Sequence, residues 1–194
     1  MGDIIKLGLF LMLVAAVAGL GVGYVNIMAA PLIEKQILEE KIRSFKEVYP
    51  EGDNVKNETA KYLGVPDPIL KEVNISYRSG IPVGVIYLAQ TKGYSGAITI
   101  LAGFDLVSGK IIAVKVLIQT ETPGLGAKAK EPAFQNRYKE KDSVTELEVS
   151  KTPPTRENQI QAITASTITS KAVTKGVNAA REHFVATFGA AKQK

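Results

Sequence analysis

The chain has 194 residues, a formal net charge of +5 at pH 7, one histidine and no cysteine. Its length allows one domain of about 100–150 residues with a short appended segment. The absence of cysteine excludes disulfides, thiol nucleophiles and iron–sulfur ligation by this chain. Basic and acidic residues alternate without a basic stripe, which argues against nucleic acid as a partner. The lone histidine, His183, cannot form a histidine metal site by itself, and we expect it to be structural.

The first predicted element is a transmembrane helix. No charged residue lies between Lys6 and Glu34, and the run LGLFLMLVAAVAGLGVGYV alone gives 19 residues, enough for a helix to cross roughly 30 Å of hydrocarbon. A cleaved signal peptide is the alternative, but the run exceeds the usual apolar segment of about 7–15 residues and no A-x-A site is well placed. We therefore predict a retained single-pass helix over residues 1–30, in contact with membrane lipid. The number of basic residues on its two sides slightly favours a cytoplasmic C-terminal domain.

A helical stalk and linker is predicted over residues 31–61. Pro31 suits the first turn of a helix, and apolar residues recur on one face as far as Tyr49. Pro50 and the polar run EGDNVKNETAK then predict a turn and a linker near residues 50–61.

The remaining residues, 62–194, predict one domain built on an antiparallel sheet. Four segments rich in β-branched residues are separated by short turns and cover residues 69–77, 81–90, 97–105 and 111–119. Strands joined by such short links pair antiparallel. A helical segment at 132–141 and a short strand at 144–149 follow, and an amphipathic helix beginning near Thr169 ends the pattern. The predicted fold class is α+β, with flanking helices and the N-terminal transmembrane helix.

Hydroxyl side chains are concentrated in the stretch ITASTITSKAV. The five between residues 164 and 170 are Thr164, Ser166, Thr167, Thr169 and Ser170. Because the last helix begins here, its unpaired backbone N–H groups and the positive end of its dipole favour phosphate. Lys171 can add a positive charge nearby. The alternative interpretation is a helix cap, which needs only one hydroxyl.

Two glycine-containing loops, GYSG and ETPGLG, are the other candidate binding segments. The glycines on both sides of Leu125 let the backbone approach a flat ligand, and the Leu125 side chain can pack on an apolar ring. A tight turn after a strand would use the same glycines. The candidate residues of the two loops are Tyr94, Glu121, Thr122, Gly124, Leu125 and Gly126.

No catalytic or metal-binding residue is predicted. The hydroxyl cluster lacks a G-x-S-x-G elbow, a P-loop and an S-x-x-K motif. Ser170 and Lys171 are adjacent, but neighbouring side chains on a helix diverge by about 100° and do not form a dyad.

The combination of an N-terminal membrane helix with GYSG, the turn VSGK, ETPGLG and ITASTITSKAV resembles the FMN-binding G subunit of the Rnf ion-translocating electron transport complexes. It is more distantly similar to the C subunit of the sodium-pumping NADH:quinone reductase. The resemblance covers nearly the whole chain. It implies a membrane-anchored flavoprotein that carries electrons in a complex coupling ferredoxin and NAD to Na⁺ or H⁺ translocation. The implied partners are the other membrane and peripheral subunits and a flavin transferase during maturation.

In that family FMN is attached through its phosphate to a threonine, in a pattern close to D-x-x-T-G-A-T-x-S/T. Thr164, Thr167 and Thr169 match its hydroxyl positions, with Thr167 at the flavin-bearing one. The departures from the pattern are Gln161, Ala165 and Ser166. The resemblance therefore implies a covalent FMN phosphoester on Thr167, with Ser166 as the competing hydroxyl. It also implies that the C-terminal domain is extracytoplasmic, which is opposite to the side favoured by the number of basic residues.

A different class of function remains open from the residues alone. The chain could be a membrane-tethered binding or scaffold module without redox chemistry, in which the hydroxyl cluster is only a cap and a polar ligand site. A flavin adduct on the hydroxyl stretch distinguishes the two functions.

Overall fold

A computed structural model describes residues 1–65 and 67–189. Its first element is the 47-residue helix α1 (Gly2–Val48), which is long and apolar enough to cross a membrane. Residues Met1–Glu40 and Lys41–Lys194 form separate compact units. The expected helix start at Pro31 is wrong, because Pro31 lies inside α1. A proline ring removes one backbone hydrogen bond but still permits helix on both sides of it.

Five antiparallel strands form one sheet in chain order, which confirms the predicted fold class. They are β1 (Asn54–Asn57), β2 (Leu70–Arg78), β3 (Ile81–Lys92), β4 (Ala97–Asp105) and β5 (Ile111–Ile118). The β2–β3 turn places Ser79 at φ 50° and Gly80 at φ 80°. Two consecutive positive φ values give the kind of tight turn whose twist matches the flanking antiparallel strands.

Several short elements differ from the sequence expectations. Residues 50–61, expected as a linker, contain β1 and the start of the one-turn helix α2 (Thr59–Tyr62). The segment expected as one helix divides into α3 (Pro132–Gln135) and a 3₁₀ turn, Asn136–Tyr138. The strand expected at 144–149 is β6 (Glu148–Ser150), which pairs in parallel with β7 (Gln159–Gln161). Elements of three or four residues leave too little periodicity to be recognised.

Helix α4 (Thr167–Phe188) packs on one face of the sheet and closes the main hydrophobic core. The Phe184 ring stacks on Phe104 with centroids 4.9 Å apart. A Cβ atom at Gly176 would lie 2.7 Å from Ile100 Cδ1, so this glycine allows the helix to approach β4. A hydrogen bond also links α4 to β3: the Nδ1 atom of His183 lies 2.9 Å from the Tyr87 hydroxyl.

The opposite face of the sheet is covered by the end of α1 and the residue that follows it. The buried side chains of this smaller core are Val48, Tyr49, Ile86, Leu101 and Leu117, with Phe45 partly buried beside them. The Tyr49 hydroxyl donates to Val83 O at 2.8 Å and lies 3.0 Å from an Asp105 carboxylate oxygen. The sheet is therefore enclosed on one side by the end of α1 and on the other by α4.

Candidate functional site

Three segments that are distant in sequence meet around one cavity of about 430 Å³. They are the loop after β3, the loop after β5 and the beginning of α4. The lining residues are Tyr94, Glu121, Thr122, Leu125, Gly126, Ala165, Ser166, Thr167, Ile168 and Thr169. The cavity volume is typical of a small-molecule site. The structure thus brings the GYSG loop, the ETPGLG loop and the hydroxyl stretch together.

The N-terminus of α4 forms one wall of this cavity. Ser166 is the N-cap residue, but its side chain makes no capping hydrogen bond. The first backbone bond of the helix runs from Ser170 N–H to Ser166 O at 3.0 Å, so the earlier N–H groups of this turn lack an intrahelical acceptor. Such an open helix end carries a partial positive charge and binds anions.

Two of the five hydroxyls are committed to the protein itself. The Ser170 hydroxyl donates to Ser166 O and accepts from Ile163 N–H, both at 2.9 Å. The Thr169 hydroxyl donates to the Glu121 carboxylate at 2.5 Å. Both side chains are buried. Ser170 therefore fixes the turn before α4, and Thr169 has no proton left for a ligand.

The hydroxyls of Thr164, Ser166 and Thr167 make no hydrogen bond within residues 1–65 and 67–189. They differ in position. Thr164 is exposed and lies outside the cavity lining, Ser166 lines the cavity but is only 7% exposed, and Thr167 lines it while half-buried. Thr167 is thus the most accessible free hydroxyl in the cavity. Lys171 is exposed and lies outside the lining.

Ala165 holds the backbone in the left-handed region, at φ 60°. An L-residue with a Cβ atom adopts this conformation at a cost of about 1–2 kcal/mol, whereas glycine adopts it freely. The turn that presents Ser166 and Thr167 therefore has the backbone shape for which a glycine is suited, although this chain carries alanine there.

Glu121 connects all three walls of the cavity. Its side chain is 5% exposed and accepts hydrogen bonds from Ser95 N–H at 2.9 Å and from the Thr169 hydroxyl. Gly126 lies against this pair, because a Cβ atom there would be 2.6 Å from a Glu121 oxygen and 2.7 Å from Thr169 Oγ1. Gly124 lies outside the lining and has φ 76°. Local structure thus explains both glycines of ETPGLG: Gly126 allows close packing, and Gly124 has a left-handed backbone.

Exposed apolar side chains surround the cavity on the same three segments. Tyr94 is 70% exposed, Leu125 is 42% exposed and Ile168 is 54% exposed. Sequence reasoning identified the first two but missed Ile168. It stands four residues before the buried Ala172 on α4, so helical periodicity assigns it to the core face. No local signal separates it from a core residue, because the helix end extends to the cavity.

Comparison with known proteins gives a consistent set of relatives. Residues 93–182 match the FMN-binding domain family. The G subunit of the Na(+)-translocating ferredoxin:NAD(+) oxidoreductase complex of Acetobacterium woodii is 36% identical over 185 residues, covering 90% of this chain and 88% of that protein. The G subunit of the proton-translocating ferredoxin:NAD(+) oxidoreductase complex of Clostridium ljungdahlii is 43% identical over 110 residues, 57% of each protein.

Two solved structures share the fold. The C subunit of Na(+)-translocating NADH-quinone reductase from Parabacteroides distasonis is 26% identical with a TM-score of 0.51, covering 59% of this chain and 60% of that one. NqrC from Shewanella oneidensis is 19% identical with a TM-score of 0.53, covering 76% and 74%.

Proposed function

Because this chain belongs to the G-subunit family of the ion-translocating ferredoxin:NAD(+) oxidoreductase complexes, the Rnf complexes, we propose that it carries electrons through an FMN held in the cavity beside Thr167. It contains an FMN-binding domain and an N-terminal helix suited to anchoring it in a membrane. Its relatives are subunits of larger complexes. The neighbouring subunits then supply the nucleotide site, the iron–sulfur centres and the ion path.

The residues of the cavity fit the two chemically different ends of FMN. The open N-terminus of α4 offers backbone donors to a phosphate. Tyr94, Leu125 and Ile168 offer apolar surface to the isoalloxazine ring system. When bound, FMN supplies one- and two-electron transfer, and the protein contributes binding, orientation and electrostatics.

We further propose that the flavin is covalently bound through Thr167. This proposal rests on one observation: Thr167 carries the most accessible uncommitted hydroxyl of the cavity. In the attachment step a bond forms between Thr167 Oγ1 and the flavin phosphorus, and the phosphoanhydride bond of a flavin dinucleotide breaks. The nucleoside monophosphate leaves, and the hydroxyl proton is released. A flavin transferase would catalyse this step.

Mass spectrometry of the denatured protein, purified from a host that has the flavin transferase, tests the attachment. The wild-type chain should carry the mass of FMN minus one water on the peptide containing Thr167, with flavin fluorescence after denaturing electrophoresis. Thr167→Ala should remove the adduct and Ser166→Ala should keep it. An unmodified wild-type chain would refute covalent attachment, and an adduct lost only in Ser166→Ala would move it to Ser166.

We also propose that the C-terminal domain is extracytoplasmic, where a covalent bond prevents loss of the cofactor. The cysteine-free sequence allows a direct test with single introduced cysteines and a membrane-impermeant maleimide on intact cells. Lys151→Cys should be labelled from outside, whereas Asp3→Cys should need permeabilised cells. The reverse pattern would place the domain in the cytoplasm.

A further inference from the structure

The buried carboxylate of Glu121 is an unexpected neighbour for a phosphate site. It lines the same cavity as Thr167 and accepts a hydrogen bond from Thr169, which lies in the first turn of α4. The Glu121 carboxylate therefore shares one cavity with Thr167 and with the helix end that attracts an anion.

Glu121 also removes donors from the cavity. The Thr169 hydroxyl has one proton, and it points to the carboxylate, so only oxygen lone pairs remain for a ligand. The Ser95 N–H group is engaged by the other carboxylate oxygen. The cavity therefore combines the partial positive charge of a helix end with a carboxylate and with fewer donors than its hydroxyl content suggests.

We propose that Glu121 makes the site selective for the attached phosphodiester over free FMN. This inference rests on the proposed flavin attachment. The phosphomonoester of free FMN carries about −1.5 to −2 charges at pH 7, because its second pKa is about 6. The phosphodiester formed with a threonine has a single negative charge. One buried carboxylate repels the dianion more strongly than the monoanion, so the covalent bond holds a cofactor that the site by itself would bind weakly.

Flavin binding to chains that cannot be modified tests this selectivity. Thr167→Ala is compared with the same variant carrying Glu121→Gln, by fluorescence titration with FMN and with riboflavin, which lacks the phosphate. A glutamine can accept from Ser95 N–H and donate to the Thr169 oxygen, so both contacts are kept while the charge is removed and the Thr169 hydroxyl proton becomes available to a ligand. We expect FMN to bind at least about tenfold more tightly in the double variant, because the repulsion between the carboxylate and the phosphate is removed and the Thr169 proton is released. Riboflavin should change less than about twofold.

Thr167→Ala with Glu182→Gln is the matched control. Glu182 is an exposed residue near the other end of α4, so neutralising it removes the same charge from the molecule without touching the cavity. This control should bind FMN as Thr167→Ala does. An equal gain for riboflavin, no gain for FMN, or the same gain in the control would each overturn the proposal.

A second measurement does not require any change at Glu121. The FMN phosphate becomes a monoanion below its second pKa of about 6, so Thr167→Ala should bind FMN more tightly at pH 5 than at pH 7.5, relative to riboflavin. An unchanged ratio would contradict the selectivity. These titrations report on the cavity whether or not the wild-type chain is flavinylated, so failure of the attachment and failure of this inference give different results.

Discussion

At the residue scale, the five hydroxyls of the ITASTITSKAV stretch separate by their partners. Ser170 holds the turn before α4 through Ile163 and Ser166, and Thr169 is bound to Glu121. Thr167 makes no such bond within the described chain and faces the cavity. A hydroxyl that is part of the folded framework cannot be esterified without breaking that framework, which favours Thr167 as the acceptor.

Gly126→Ala should damage the cavity more than Gly124→Ala. The new methyl group at position 126 would overlap Glu121 and Thr169, and overpacking of this kind costs about 1–3 kcal/mol. At position 124 nothing lies within 4 Å of the added atom, so the cost is the left-handed backbone alone, about 1–2 kcal/mol. Urea unfolding measures both free energies.

The flavin content of the same two variants gives an independent readout. It should fall in Gly126→Ala and remain near the wild-type value in Gly124→Ala. Equal losses of stability and flavin in the two variants would show that the contact between Gly126 and the Glu121–Thr169 pair has no special role.

At the element scale, long regular segments could be predicted from the sequence and short or irregular ones could not. Strands β2 to β5 carry β-branched residues and short turns, and all four form close to the expected positions. The polar strand β1 reads NVKN and pairs only at the sheet edge, so its side chains give no apolar alternation. The contact between Glu121 and Thr169 joins residues 48 positions apart, and no local pattern encodes it.

The turn after β4 should make stability depend on pH through Asp105. Partial burial raises the pKa of this carboxyl, but hydrogen bonds from Ser108, Tyr49 and Val107 outweigh it, and the pKa is lowered overall. The folded pKa is then below the unfolded value of about 3.9. The stabilising contribution is therefore present above about pH 4 and is lost as the pH falls through the folded pKa.

Chemical denaturation of the wild type and Asp105→Asn at pH 6 and pH 3 tests this expectation. The variant should be less stable by about 1–3 kcal/mol at pH 6, since it weakens several bonds to a charged group. The difference should shrink at pH 3. A difference that is the same at both pH values would mean that the charge of Asp105 does not contribute.

At the scale of the whole molecule, the sheet depends on the end of α1 at one face and on α4 at the other. The face opposite α4 is covered by Phe45, Val48 and Tyr49, which lie just after the boundary of the N-terminal unit. This placement means that the compact C-terminal unit begins before the end of α1. The segment between the apolar helix and β1 is therefore part of the domain's packing as well as a connection.

A chain that starts at Lys41 should fold, whereas one that starts at Asn54 should be strongly destabilised. The longer chain keeps the three covering side chains, and the shorter one exposes Ile86, Leu101 and Leu117. Burial of each large apolar side chain contributes about 1.5–3 kcal/mol, so the loss should be several kcal/mol. Thermal unfolding followed by circular dichroism measures it. Equal midpoints for the two chains would contradict this dependence.

The order in which the cavity walls occur along the chain has a consequence for biosynthesis. Tyr94 and Glu121 are synthesised before Thr167, which is the first residue of α4. A chain interrupted before that residue holds every strand of the main sheet and still lacks both the acceptor oxygen and the third wall. Flavin attachment at Thr167 would therefore mark only chains that have been synthesised at least as far as the start of α4, after every strand of the main sheet.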